Sequence, residues 1–193
     1  MRTEPYLAAF TTDVEDYFQA EALREFCPRA DWANLEDRTE LNTLRVLELL
    51  ARKQVLGTFF ILGWTAERHP ELVKRIAKEG HEVASHGYGH ELIYRQTPEE
   101  FRKDVRRCRK ILQDLSGQEV VGYRAPSYTI VEGTRWALDV LTEEGYEYDS
   151  SIFPIKRRKY GIPDAPRGPH WVDTPQGRLA EFPLPAVRLG PMN

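Results

Sequence analysis

Val55-Leu56-Gly57-Thr58-Phe59-Phe60-Ile61-Leu62 is a near-continuous apolar run closed by Gly63, and its reading decides the fold class. A strand that does not alternate apolar with polar residues is covered on both faces, which is the habit of parallel sheets flanked by helices. Downstream, Pro70 opens a helix through Leu72, Val73, Ile76 and Ala77, and Gly80 stands where a C-terminal cap belongs. Glu82-Val83-Ala84-Ser85 follows as a short strand leading into His86. Thr97-Pro98-Glu99-Glu100 is a capping box, and behind it Phe101, Val105, Cys108, Leu112 and Leu115 step by four and three until Gly117. Val120–Tyr123 reads as a strand, a helix around 134–144 stops at Gly145, and Tyr146–Tyr148 reads as the next strand. Upstream, Leu41, Leu44, Leu47 and Leu50 form the stripe of a helix over 39–53, and Tyr6–Thr12 reads as a buried strand running into Asp13-Val14-Glu15-Asp16. The alternation of strand and helix predicts an α/β fold with a parallel sheet, open or closed into a barrel. The acidic cluster, His86 and Asp149 all follow strand candidates, and the carboxyl ends of parallel strands are where ligand sites collect.

At 193 residues the chain fits one domain. Lys and Arg total 27 against 30 Asp and Glu, a net charge of −3, which leaves no basic footprint and argues against a nucleic-acid partner. No stretch approaches the roughly 18–20 apolar residues of a membrane span, so membrane insertion is not expected. No apolar run of signal-peptide length precedes Asp13, which predicts a cytoplasmic location. Two cysteines, Cys27 and Cys108, are too few for a disulfide framework or a cysteine-type zinc site. From Ser151 onward the chain is proline-rich and reads as loop, with the cationic run Lys156-Arg157-Arg158-Lys159 near its start and one strand at 178–182.

Three groups of residues carry chemistry. In Ser85-His86-Gly87-Tyr88-Gly89-His90 the two glycines disfavour a helix, and a loop at a strand end could turn both imidazoles toward one ion. The alternative is two surface histidines on a flexible loop. Asp13, Glu15 and Asp16 repel one another unless solvated or neutralised. Together with His86 and His90 they could supply a two-histidine, one-carboxylate metal site with a second carboxylate as base. Arg124, in Tyr123-Arg124-Ala125-Pro126-Ser127-Tyr128, could hold an Asp13 carboxylate or form an ordinary structural ion pair. Tyr88, Tyr123 and Tyr128 lie in these motifs; aromatic rings stack on sugars and equally fill cores. Tyr148-Asp149-Ser150-Ser151 is a weaker fourth cluster, His69 and His81 read as structural, and Cys108 reads as core.

The order Asp-Val-Glu-Asp (13–16), Thr-Phe-Phe (58–60), Gly-His-Glu-Val-Ala-Ser-His-Gly-Tyr-Gly-His (80–90), Tyr-Arg-Ala-Pro-Ser-Tyr (123–128) and Tyr-Asp-Ser-Ser (148–151) resembles the polysaccharide deacetylases of carbohydrate esterase family 4, which share the NodB-homology domain. Within them the sequence is similar to the allantoinase-like and peptidoglycan deacetylase group. The Asp-Val-Glu-Asp-Tyr-Phe opening at 13–18 resembles the exosortase-associated exopolysaccharide deacetylases. The resemblance covers nearly the whole chain. It implies a distorted barrel of parallel strands wrapped by helices, with the C-terminal portion expected to be lacking here, within a single domain over 1–193. It also implies a divalent metal, most often zinc, held by His86 and His90, with Asp13 as general base and Arg124 tethering that base. The family's common metal aspartate falls at Val14, so Glu15 is the expected carboxylate ligand, since alternate residues of a strand share a face; Asp16 is the alternative. Tyr128 is the substrate-binding candidate.

The implied reaction is hydrolysis of an N-acetyl group on an amino-sugar polysaccharide or its precursor, in exopolysaccharide biosynthesis. The expected partner is an N-acetylated carbohydrate, and an oligomer is compatible with an open barrel edge. The family's late histidine acid has no matching motif here, where His170 stands alone. Two other readings keep the fold: a cyclic amide or imide hydrolase, and a non-catalytic carbohydrate-binding protein.

Overall fold

The apolar run becomes strand β2, Gly57–Ile61, second in a sheet that the computed structural model describes within residues 8–187. Strands β1 (Phe10–Val14), β2, β3 (Glu82–Ser85), β4 (Gly122–Tyr123) and β5 (Tyr148–Asp149) lie side by side in chain order, all parallel. Beyond β5 the sheet continues with β7 (Gly177–Glu181), also parallel, and ends with β6 (His170–Thr174), antiparallel to β7. Between the parallel strands run α1 (Thr39–Lys53), α2 (Gly63–Arg68), α3 (Pro70–Lys78), α4 (Pro98–Ser116) and α5 (Trp136–Glu143).

Strand alternation sends Val14, Phe59, Ile61, Val83 and Tyr123 to the helix-facing side, where they join Leu47, Leu50, Val73, Ile76, Phe101, Val105, Cys108 and Leu112 in one buried core. The opposite face carries Asp13, Phe60 and Tyr148, and it curls upon itself. Phe60 on β2 and Tyr148 on β5 have ring centroids 6.4 Å apart, and Arg124, just past β4, reaches Asp13 on β1 at 2.9 Å. In a flat sheet, β1 and β4 would stand about 14 Å apart, three strand spacings. The sheet is therefore rolled, and among the described residues β1 and β6 each pair on one side only, so the roll does not close.

Several details differ from the sequence reading. β1 starts at Phe10 and includes Asp13, while Tyr6 and Leu7 lie outside the described residues. β1 is not buried throughout, because it is an edge strand; Phe10 is exposed. Of the four leucines in the α1 stripe, Leu44, Leu47 and Leu50 turn inward. Leu41 is exposed because nine residues, about two and a half turns, carry it to the far side of the helix from Leu50. Val55 and Leu56 precede β2 and are exposed, and Gly63 opens the short helix α2 instead of ending a strand. The proline-rich segment holds two strands; His170 begins β6, its Nδ1 3.0 Å from the Gly168 carbonyl. Cys27 and Cys108 are both free and buried. Among the described residues no helix is long and apolar enough to cross a membrane.

Candidate metal centre

The acidic cluster is divided by the pleat of β1. Asp13 faces the inside of the roll, Val14 packs into the helix-facing core, and Glu15 follows at the strand end. Asp16 is committed elsewhere: its carboxylate accepts from Tyr17 N at 2.7 Å and from the Arg38 guanidinium at 2.9 Å, capping the turn Tyr17–Gln19.

Past β3, the loop at 86–90 turns His86 and His90 toward Glu15. Gly87 takes φ +74°, and a Cβ there would meet the Asp104 carboxylate at 2.8 Å. That same carboxylate accepts from Tyr88 N at 2.8 Å, so α4 clamps the loop from behind. Burial pushes the Asp104 carboxyl up to about 6. His90 adopts φ +52°, a left-handed conformation uncommon for a residue with a side chain.

Glu15 Oε2 stands 3.0 Å from His90 Nε2 and 3.8 Å from His86 Nε2. One ligand atom from each of the three residues falls within 4.8 Å of the others. His86 Nδ1 lies 2.8 Å from the Arg124 carbonyl, which can only accept, so Nδ1 carries the proton and Nε2 turns a lone pair toward Glu15. Burial pushes the His86 imidazole down, against the opposing charges of Asp13 and Glu15, and so favours the neutral ring that a ligand requires. Burial pushes the Glu15 carboxyl up, but the close approach of His90 and the charges of His86 and His90 outweigh it and hold the carboxyl below its ordinary value. Glu15 Oε2 is buried and makes no hydrogen bond. A buried carboxylate oxygen facing two imidazole nitrogens is an arrangement that a divalent cation satisfies, and the two-nitrogen, one-oxygen donor set suits zinc and similar borderline metals.

Asp13 sits beside this triad, held by Arg124. Arg124 Nη1 donates to Asp13 Oδ1 at 2.9 Å, Nη2 to Thr11 Oγ1 at 3.0 Å and Ser150 Oγ at 2.9 Å, and Nε to the Ser150 carbonyl at 3.0 Å. The guanidinium carbon also lies 4.0 Å from the centroid of the Phe60 ring. Every branch of the side chain is committed, which fixes the Asp13 carboxylate. The next residue is fixed too, with Ala125 N donating to Ser151 Oγ at 2.7 Å.

The turn that follows holds Ser127 at φ +51° and Tyr128 at φ +56°. Tyr128 borders the site: burial raises its phenol, and the Asp13 charge raises it further. Tyr123 instead belongs to the core, and Tyr88 donates to Glu67 beneath the Arg107 guanidinium. His69 sits 2.8 Å from Asp37, and His81 Nδ1 accepts from Gly57 N at 3.1 Å, both away from the triad.

Sequence reasoning passed over Asp104, Thr11 and Glu181. Asp104 had a signal, an acid set on the apolar stripe of α4 between Phe101 and Cys108. Glu181 is buried next to Asp149 across the β5–β7 register, and its Oε1 accepts from Ile152 N at 3.1 Å.

The family profile for polysaccharide deacetylases matches residues 31–148, and that for a domain of unknown function, DUF3473, matches 150–193. The peptidoglycan-N-acetylglucosamine deacetylase of Bacillus cereus is 36% identical over 120 residues, covering 56% of this chain and 44% of that protein. The peptidoglycan deacetylase of Helicobacter pylori is 30% identical over 113 residues, covering 58% of this chain and 38% of its own. The chain thus spans less than half the length of these relatives. A crystal structure from Mycobacterium smegmatis, described as a polysaccharide deacetylase by its sequence, superposes with a TM-score of 0.70 at 31% identity over 91% of this chain and 57% of that one. A CE4 family pseudoenzyme from Bacillus anthracis shares the fold alone, with a TM-score of 0.50 at 21% identity over 68% of this chain and 39% of that one. With a profile that covers more than half of its length, the chain belongs to the polysaccharide deacetylase family.

Proposed function

We propose that this chain hydrolyses N-acetyl groups of an amino-sugar polysaccharide or its precursor, with a divalent metal, most simply zinc, held by Glu15, His86 and His90. The observation that carries the reading is the buried, unbonded Glu15 Oε2 facing two imidazole nitrogens beside an arginine-held Asp13. A cation seated among these donors supplies Lewis acidity toward the acetamide oxygen and toward the attacking water. Asp13 accepts the proton of that water as its oxygen bonds to the acetyl carbon. The amide C–N bond then breaks as its nitrogen takes up the proton that Asp13 accepted, giving acetate and a free amine. Arg124 keeps the Asp13 carboxylate turned to the water through this step, and Tyr128 borders the sugar. Asp16, tied to Arg38, stays outside the chemistry.

The test pairs metal content with acetate release. The purified chain should bind one equivalent of a divalent ion by elemental analysis, and His86→Ala/His90→Ala should bind none. Acetate release from N-acetylated chito-oligosaccharides should stop in EDTA and fall at least about 10³-fold in Asp13→Asn, a general-base loss. Hydrolysis of cyclic ureides in place of acetylated sugars would replace this reading with the cyclic-amide one. Glycan binding without acetate release under any metal would leave a binding protein.

A further inference from the structure

We propose that a cationic groove beside the site, built by the loop 153–162, binds the acidic groups of an anionic glycan, so that the substrate is an N-acetylated polysaccharide that also carries carboxylates. The inference rests on the deacetylase reading above for the placing of the acetyl group, but not for the groove. A groove of about 480 Å³ is lined by Tyr94, Glu132, Arg157, Arg158, Lys159 and Tyr160 among others. Among the described residues none of Arg157, Arg158 and Lys159 forms an ion pair; Arg157 donates to the Lys156 carbonyl. The acids nearby are already taken. Glu132 receives two bonds from Arg135, at 2.9 and 3.1 Å, and Glu21, close enough to feel Lys159, is gripped by both terminal nitrogens of Arg95 at 2.6 and 3.0 Å. A chain of net charge −3 thus gathers unneutralised cations at one place, where mutual repulsion costs stability until an anion arrives.

The loop that carries them has a fixed neck. The Phe153 carbonyl accepts from Ile155 N at 2.8 Å and Ile162 N at 2.9 Å, and Ile162 is buried in the main core. Gly161, at φ +98°, closes the neck where a Cβ would meet the Ile155 carbonyl at 2.2 Å. The base of the loop is aromatic and leads to the catalytic side. The Phe153 and Tyr160 rings stack at 5.9 Å and 14°, and both pack on Tyr128, at 6.1 and 6.3 Å, the ring that senses Asp13. A row from the metal ligands through aromatic faces to cations fits a sugar chain whose rings lie on the aromatics and whose acids reach the groove.

The experiment compares two N-acetylated hexasaccharides by isothermal titration calorimetry: hyaluronan, which alternates acetylated and uronic sugars, and chitohexaose, which is neutral. We expect hyaluronan to bind about tenfold tighter in low salt, and the margin to shrink in high salt. In Arg157→Gln/Arg158→Gln/Lys159→Gln, three exposed changes, the ratio of the two affinities should fall to about one. Poly-glutamate should bind more weakly than hyaluronan, since it offers charge without sugar. A ratio unchanged in the triple variant, or poly-glutamate binding as tightly as hyaluronan, overturns the proposal. Acetate release, measured alongside, separates the two readings: a charge preference without turnover supports the groove and counts against the deacetylase, while turnover of chitohexaose without any charge preference does the reverse.

Discussion

At the scale of single residues, the site depends on side chains that are held as much as on side chains that act. Arg124 shows why. Its fork makes four hydrogen bonds at once, to Asp13, to Thr11 and twice to Ser150, and a lysine ammonium at that place cannot reproduce this planar pattern. Arg124→Lys leaves Glu15, His86 and His90 untouched, and His86 still bonds the backbone carbonyl of residue 124. We therefore predict that the variant keeps its metal by elemental analysis while acetate release falls roughly 10²-fold, the scale of loss that a misplacement of about 1 Å brings. Loss of the metal together with activity would mean that Arg124 supports the ligand loop and not the base. That His86, His90, Asp13 and Arg124 come together at one end of the sheet was legible because their motifs follow strand candidates. The commitment of Asp16 to Arg38 was not, since that partner is 22 residues away and nothing local announces it.

At the scale of elements, helices were easier to read than strands. Thr97 and Glu100 form their capping box in the structure as the sequence predicts, and α4 begins at Pro98 and ends at Ser116 before Gly117, because caps and periodicity are local signals. β6 escaped because a two-residue turn at Pro175 and Gln176 sits inside a proline-rich stretch, and pairing with β7 is a property of the partner. The β5–β7 contact sets two acids side by side, Asp149 and Glu181, both fully buried. Burial and the Asp149 charge push the Glu181 carboxyl well above its ordinary value of 4.5, so the folded chain holds that proton to higher pH than the unfolded chain does. A raised folded pKa contributes stability that is complete below about pH 4.5 and is lost as pH rises toward the folded value, by up to about 1.4 kcal/mol per pH unit. Glu181→Gln, permanently neutral, lacks that loss. Denaturant unfolding should show the two proteins alike near pH 4, with the variant increasingly the more stable as pH rises above about 4.5. A difference between the two proteins that does not change with pH would show that Glu181 titrates in the folded chain as it does in the unfolded one.

At the scale of the whole molecule, the boundary between the two family profiles, near residue 150, does not coincide with a boundary in the structure. The sheet runs through it from β5 to β7, and Ile152, Ile162 and Leu179 lie in the same core as Phe59 and Val83. Burial of such side chains is worth about 1.5–3 kcal/mol each, against a total stability of about 5–15 kcal/mol for a domain. Removing the segment also removes the cost of ordering it, so the polar terms decide the outcome. Arg124 is buried, and without Ser150 it loses two of its four side-chain hydrogen bonds; Ala125 N loses Ser151, and β5 becomes an open edge. A chain ending at residue 149 should therefore show no cooperative thermal transition by circular dichroism and should bind a hydrophobic dye in buffer, whereas the full chain melts sharply. A sharp transition in the shortened chain would establish the polysaccharide deacetylase portion as a folding unit of its own. In that case the loop 153–162 would be an attachment to the site. If the shortened chain fails to fold, the segment that carries the cationic loop also holds Arg124, and through it Asp13, so that the proposed glycan groove and the proposed base depend on one piece of backbone.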